Sequence, residues 1–419
     1  MPTLERITSA VPWPRGIAWY NGKLIALARG AHRNQGGPQP GDQGGTLFEV
    51  SCETYDAVDP GDTDVSNAVL TNAKIFAEPT DPPFKLWDPS TQPPHLDTRT
   101  DRPYATLHWD SKSHSFYICA FAGIDLPKGS TGQGFWPNAS CSVHRFDVRE
   151  ADSKLMTNGK WFGVEAHRFD NVPEFEIRRF TDRPRGSNFQ VPDHYYPHES
   201  TNPSYPPRGL LSGPDGLFAV GDYLYVVGLD NNKLAQYDIS TRVEFPEGRT
   251  IPVPEVGNSA VAAYDSYLYL ANRQSGTGGA RIIRYPIDPA TGQLLDDDGN
   301  EYFGEHQTLT AELIATIDDI ISPKKVAHII DIDFDSEGRL FVSMANGSGK
   351  VWCIDDPSPS DVFRASEWEP YIDLQKLSPN SKAKCADICF DDQDNLYVCS
   401  GNKDTPRVGH SGTIYRVRD

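Results

Sequence analysis

The chain is short of positive charge: 39 Lys and Arg stand against 58 Asp and Glu over 419 residues, a formal net charge of −19 at pH 7. Phosphate neutralisation needs net or strongly local positive charge, so a general nucleic-acid partner is excluded. Long hydrophobic runs are missing too. No stretch approaches the roughly 18 uninterrupted apolar residues that span a bilayer, and the start MPTLERITSA lacks a basic region followed by an apolar one. The expectation is a soluble chain with no membrane partner; its compartment, cytoplasmic or exported with a signal removed, stays open. The sequence also lacks a P-loop, a strand-linked G-x-G-x-x-G and a G-x-S-x-G elbow, so no local motif supports a nucleotide cofactor or serine-hydrolase chemistry.

Cysteine is sparse. The seven residues Cys52, Cys119, Cys141, Cys353, Cys385, Cys389 and Cys399 mostly sit inside apolar runs and read as small buried hydrophobes. Cys119 with Cys141, or Cys389 with Cys399, are possible cross-strand neighbours, which leaves a disulfide open. The pair Cys385 and Cys389 lacks a second ligand pair at zinc spacing and is rejected as a metal site. The sequons at Asn138 and Asn346 matter only in a glycosylating export pathway.

What is abundant is turn chemistry: 35 Gly and 34 Pro, with aromatics at 11%. That fits many short strands and not a helical bundle. Internal repetition is the clearest signal. The stretch beginning IIDIDFDSEGRLFV after His328 matches the one beginning CADICFDDQDNLYV after Lys384, with Asp331 against Asp387, Ile332 against Ile388, Phe334 against Phe390, Asp335 against Asp391 and Leu340 against Leu396. Each copy is a strand, an Asp-rich turn, a second strand, a loop and a third strand. Looser copies give six units starting near 14, 104, 214, 258, 328 and 384. Fourth strands are expected at 72–79, 160–167, 249–254, 312–318 and 369–375. The sixth unit ends after its third strand, and residues 2–10 supply the missing one. A ring closed by pairing the chain ends removes exposed sheet edges.

The expectation is therefore an all-β fold: a single 1–419 domain forming a six-bladed β-propeller of four-stranded antiparallel blades, closed by the N-terminal strand on the C-terminal blade. The repeat resembles the NHL, TolB-like and gluconolactonase-like six-bladed propellers, a group that includes paraoxonase-like hydrolases and strictosidine-synthase-like proteins. Sialidase-type S-x-D-x-G-x-x-W boxes are missing. Fold does not specify function, so the loops must be read next.

In such a blade the second-to-third-strand loops and the blade-to-blade connections leave on one face. The long insertions 29–45, 121–140, 273–280 and 400–412 are of the first kind, and 80–102 and 175–208 of the second. All fall on that face, while the turns Asn21-Gly22, Gly221-Asp222 and Asp265-Ser266 on the other are tight. Long loops on a rigid scaffold carry function, and a recessed pocket at the channel mouth is expected there.

The chemistry of that face departs from the acidic bulk. Arg15, Arg29, Arg208 and Arg273 with His32 are candidate substrate-binding residues, because guanidinium forks suit carboxylates, sulfates and phosphates; pairing with loop acids such as Asp42 and Asp193 is the plainer alternative. The segment from Val191 to Gly209 brings together His194, Tyr195, Tyr196, His198, Glu199 and Arg208. His194, Tyr195, His198 and His328 are the candidate proton-moving residues; a Tyr/Pro-rich packing cover is the alternative for the loop. Trp136, beside Phe135, is a candidate stacking platform for a sugar ring, or a cap on the core. His108, His114, His144 and His167 fall in or beside strands and are expected to pack or face solvent away from the mouth.

The resemblance implies one further expectation. Gluconolactonase-like propellers hold a divalent metal, often calcium, at the inner-strand entrances, and Asp215 and Asn258 resemble two of its ligands. Arg15 stands where that family places a ligating Glu, so the site does not transfer whole. Asp331 and Asp387, at equivalent blade starts, alternatively make repeated structural hydrogen bonds. Two functional readings follow: a hydrolase or lyase, possibly Ca²⁺-assisted, acting on an anionic carbohydrate or lactone-like small molecule at the loop-rich face, or a non-catalytic scaffold binding a peptide or glycan there.

Overall fold

The computed structural model describes residues 2–11, 14–28, 47–58, 65–77, 86–88, 95–97, 104–120, 123–125, 135–137, 142–149, 154–155, 162–164, 214–228, 233–240, 248–254, 258–272, 279–304, 306–318, 320–322, 325–326, 328–345, 349–377, 385–400 and 412–418. These residues form an all-β propeller. The first sheet runs Pro14–Tyr20, Lys23–Ala28, Leu47–Val50 and Ala73–Ala77. The second runs Tyr104–Asp110, Ser115–Ala120 and Ser142–Arg149, and the third Pro214–Val220, Tyr223–Gly228, Lys233–Asp238 and Gly248–Pro252. The fourth runs Asn258–Tyr264, Tyr267–Asn272, Ala280–Pro286 and Glu312–Ile317, and the fifth His328–Phe334, Leu340–Ala345, Lys350–Ile354 and Ile372–Asp373. The sixth joins Cys385–Phe390, Leu396–Ser400 and Thr413–Arg418 to Thr3–Thr8 from the other end of the chain. The innermost strands pack in that order, and the sixth packs against the first.

Three departures from the four-strand expectation have local causes. In the second sheet two short pieces, Lys154–Leu155 and Phe162–Val164, both pair with Ser142–Arg149 in place of one outer strand. The other five sheets each have a single fourth strand, although the fifth sheet's is only Ile372–Asp373. Two sheets gain an edge segment: Asp56–Ala57 on Thr3–Thr8, and Phe363–Arg364 running parallel to Glu312–Ile317. Both additions cover an outer edge that would otherwise offer unpaired N–H and C=O groups.

The second strands, KLIALA, YLYVVG, YLYLAN and LYVCS, read as near-continuous apolar runs because a neighbouring sheet covers each face. Leu24, Ile25, Ala26, Leu27 and Ala28 are all fully buried. Each such aliphatic side chain contributes about 1.5–3 kcal/mol when removed from water. Asp-rich turns of the fifth and sixth sheets explain the repeat: Asp335 Oδ1 accepts the Glu337 and Arg339 N–H groups at 3.1 and 2.8 Å, and Asp391 Oδ1 those of Gln393 and Asn395, both at 2.9 Å. Such carboxylates fix a turn through the backbone. Asn21 and Gly22, with φ of 46° and 73°, form the kind of two-residue hairpin turn that needs a left-handed backbone at both positions.

Every innermost strand bulges once near its start. The register skips Arg15, Asp215, Ser259, Ile330 and Ala386 in five sheets, and in the second sheet Tyr104 and Leu107 are three residues apart opposite the two-residue step from Ile118 to Ala120. A bulge re-aims a side chain and increases local twist. Just past the bulges the sheets are joined by short contacts of different chemistry. A Cβ on Gly16 would lie 2.7 Å from Leu107 N, and one on Gly216 2.6 Å from Ser259 O, so the first and third junctions rest on close backbone approach. Thr106 Oγ1 donates to Asp215 O at 2.5 Å and Ser259 Oγ to Ile329 O at 2.6 Å. The last two junctions use carboxyl groups: Asp331 Oδ2 accepts Ile388 N–H at 3.0 Å, and Asp387 Oδ2 accepts Ile17 N–H at 2.7 Å.

The cysteine alternatives close without a disulfide among the described residues. Cys119, Cys389 and Cys399 are free and buried, with Cys389 opposite Tyr397 and Cys399 opposite Asp387. Cys141 lies outside the described residues. No helix among the described residues is long and apolar enough to cross a membrane.

Candidate functional site

The innermost strands surround a cavity of about 260 Å³ inside the central channel. All six contribute: Ile17 to Trp19, Thr106 to Trp109, Leu217 and Phe218, Val261, Asp331 to Phe334 and Asp387 to Phe390. The first residue of each innermost strand pairs with the last of the second strand in all six sheets, as in Pro14 with Ala28, Tyr104 with Ala120, Asn258 with Asn272 and Cys385 with Ser400. The segments between second and third strands therefore attach at the channel end where the bulges lie.

Arg15 and Asp215 are both bulge residues there, and they face one another: Arg15 Nη2 is 3.9 Å from Asp215 Oδ1, with the side chains 20% and 6% exposed. Asn258, fully buried, starts the innermost strand of the fourth sheet and pairs with Asn272, whose Oδ1 accepts the Arg281 N–H at 2.5 Å. Asp215 and Asn258 offer oxygen donors of the type calcium takes, and the charge of Arg15 works against a cation there. The carboxylate that would bind calcium already faces a guanidinium, and a second cation beside Arg15 would be repelled. Among the described residues no group of three or more His, Cys, Asp or Glu is placed to hold a metal.

Below that entrance the cavity is lined by carboxyl groups. Asp331 and Asp387 are buried and both line the cavity, and Asp331 Oδ2 accepts the N–H of Ile388, the residue next to Asp387. Burial pushes the Asp331 carboxyl up to about 6, against which its hydrogen bonds and Arg15 act. Asp387 is raised well above the ordinary carboxyl range, first by burial and then by the charge of Asp331. Asp333, whose Oδ1 accepts the Phe334 N–H at 2.9 Å, is pushed up to about 8 by burial and by Asp331. His108 is lowered to about 4 by burial, partly opposed by Asp110 and by a backbone hydrogen bond to Ala219, and its ring lies 4.3 Å from that of Phe218. Two carboxyls in contact cannot both ionise at modest cost, so one keeps its proton. The arrangement can therefore offer a proton donor and an acceptor side by side, with a fixed positive charge at the entrance.

Of the residues singled out in the sequence, the structure brings Arg15 and Asp215 together and places Asn258 and His328 at the same end of their strands. His328 is half-buried. Trp136 lies in the short strand Phe135–Pro137, opposite Ile124. His194, Tyr195, His198, Arg208, Arg29, His32 and Arg273 lie outside the described residues. His108, on an innermost strand, packs on Phe218 below the entrance and also lines the cavity. Asp333 and Trp19, also in the lining, carried no signal of their own. Aligning all six innermost strands on their bulges would have placed them there.

No protein-family model matches the chain, and no curated protein does. Solved structures are similar in chain course. A gluconolactonase from Xanthomonas campestris shares 10% identity, covering 100% of this chain and 89% of its own, with a TM-score of 0.45. A PQQ-bound aldose sugar dehydrogenase from Streptomyces coelicolor shares 12% over 99% and 96%, TM-score 0.45. The calcium-binding protein regucalcin from Agrobacterium tumefaciens shares 9% over 99% and 94%, TM-score 0.43. Identity this low carries no residue role across.

Proposed function

We propose that the chain is a hydrolase acting on a lactone-like small molecule or an anionic carbohydrate that enters the channel from the bulge end. In this reading the six sheets are six blades of one domain spanning 1–419, closed where Thr3–Thr8 pairs with Thr413–Arg418. The observation that carries it is Arg15, set by a strand bulge at the entrance of a carboxyl-lined cavity. A guanidinium there holds a carboxylate or a developing oxyanion, whose charge is worth more in a water-poor site than in bulk. The remaining candidate binding groups of this reading are Arg29, His32, Arg208, Arg273 and Trp136, of which all but Trp136 lie outside the described residues. A lyase would draw on Tyr195 and His194 as its proton-moving couple; the described geometry favours hydrolysis because it offers paired carboxyls. Calcium takes no part in this reading.

A second reading has its own support. Asp331 and Asp387 each hold a backbone N–H of the neighbouring sheet, which is what a purely structural ring needs, and a scaffold binding a peptide or glycan is consistent with that. The test is turnover of aldonolactones and uronate-containing glycans by the wild type and by Arg15→Met. Hydrolysis that falls in the variant mainly through a raised KM, by roughly tenfold or more, supports the enzyme. Absence of turnover in the wild type across the panel supports the scaffold.

A further inference from the structure

We propose that Asp331 and Asp387 share one proton and form the acid–base couple of the channel. The inference rests on the hydrolase reading for its substrate and on geometry for its chemistry. Each carboxyl has one oxygen fixed by a backbone N–H of a neighbouring innermost strand, at 3.0 Å for Asp331 and 2.7 Å for Asp387. Both line the cavity, and because Asp331 Oδ2 holds the N–H of Ile388, next to Asp387 in its strand, the two carboxyls come together there and each acts on the other's ionisation. The couple is thus held rigidly by two different sheets, with its remaining capacity directed at whatever fills the space. The charged and titratable groups around it are Arg15, which favours ionisation of both, Asp333 and the thiols Cys389 and Cys399, all on the innermost or second strands that pack there. With one proton between them the pair carries a single negative charge, Asp387 being the donor and Asp331 the acceptor, and burial opposes loss of that proton.

The step balances with water as the only co-reactant. Asp331 takes a proton from a water molecule as its oxygen bonds to the lactone carbonyl carbon, and the carbonyl electron pair moves onto the oxygen facing Arg15. The ring C–O bond then breaks, its electron pair stays on the ring oxygen, and Asp387 delivers its proton there. The proton now on Asp331 crosses to Asp387. One water and one lactone become one hydroxy acid, and the couple is restored.

The experiment uses the full chain as wild type, Asp331→Asn and Asp387→Asn. Asn keeps an oxygen to accept the strand N–H, and thermal melts check that each variant folds. Infrared absorption at pH 7 reads the protonated carboxyl carbonyl, all spectra being taken in an Asp333→Asn background because burial keeps that carboxyl protonated as well, and acid release from gluconolactone reads turnover across pH. The expected result is a protonated-carboxyl band in that background that Asp387→Asn removes, with turnover down about 100-fold or more in both variants and the wild-type pH limbs lost. Turnover within about threefold of wild type in both variants, or a band that neither substitution changes, overturns the proposal while leaving the hydrolase reading standing. Where the wild type turns over no lactone, the hydrolase reading falls and the band alone decides: its loss in Asp387→Asn upholds the shared proton, and its persistence overturns it.

Discussion

The sixth sheet and the junction between the third and fourth sheets solve the same packing problem with opposite chemistry. At the third–fourth junction the contacts are neutral: Tyr225 Oη donates to Gly292 O at 2.7 Å, Gln236 Nε2 donates to Tyr225 Oη at 2.7 Å and to Gln293 Oε1 at 3.2 Å, and Gln293 Nε2 donates to Tyr302 O at 2.8 Å. Tyr225, Gln236 and Gln293 are all buried. One charged group, Arg249, joins the rim by donating to Gln236 Oε1 at 2.6 Å. The sixth sheet is charged throughout. Arg416, placed opposite Glu5 by the pairing of the two chain ends, meets it at 2.5 Å with little exposure of either side chain. Arg6 and Asp56 pair at 3.6 Å, and Asp331 and Asp387 bind the flanking innermost strands.

The difference has a physical reason. The third and fourth sheets are tethered by the five residues between Pro252 and Asn258, and there apolar burial with a satisfied amide network suffices. The sixth sheet joins segments some 400 residues apart in sequence, where register has to be specified without help from a turn. A buried ion pair contributes little net stability but penalises every wrong register, since misplacing one partner leaves a buried charge uncompensated.

The largest effect should come from breaking that pair. Arg416→Met strands the Glu5 carboxylate and should cost about 3–5 kcal/mol by urea unfolding; a loss below 1 kcal/mol would show that charge does not hold the seam. Next is the neutral junction. Gly216→Val places methyl groups against the Ser259 carbonyl, where even a Cβ sits 2.6 Å away, and should cost about 1–3 kcal/mol, with no change in salt dependence, whereas Arg416→Met should change it.

The smallest effect is in pH and arises in the channel that both regions border. Asp333 titrates near 8 when folded against an ordinary 3.8, so its contribution is present below 3.8 and lost as pH rises through 8. His108 is shifted the other way, to about 4 from 6.5, so its contribution is present above 6.5 and lost as pH falls through 4. The two oppose each other between 4 and 6.5, and above 6.5 the Asp333 loss is uncompensated. Stability should therefore decline between about pH 6.5 and 8 by at most about 1.4 kcal/mol per pH unit, and Asp333→Asn should reduce that slope. A variant with the wild-type slope would place the titration elsewhere, with Asp387 the next group to change.

Much of the fold was legible because propeller blades repeat. The Asp335 and Asp391 turns recur at equal spacing for a stated reason, and the second strands are apolar throughout because sheets cover both faces. The edge segments Asp56–Ala57 and Phe363–Arg364 were not legible, since two-residue pairings carry no periodicity. Of the candidate site, Arg15 and Asp215 were readable as odd residues at blade starts, and Asp331 with Asp387 as a matched pair in the repeat. His108 and Asp333 were not, because alternation along a strand does not say which side of the strand borders an axial channel.

The sequence by itself determined local periods: strand positions, tight turns and the order of the repeats. Only the tertiary structure decided which side chains of six separate strands share one small space. Arg15 and Asp215 lie 200 residues apart yet meet at 3.9 Å, and Asp331 finds its proton partner through a neighbouring strand rather than its own. Those contacts depend on a single bulge per innermost strand and on the packing of successive sheets. The chemistry of the channel follows from burial, which acts on a residue's surroundings in space and leaves no trace in its neighbours along the chain.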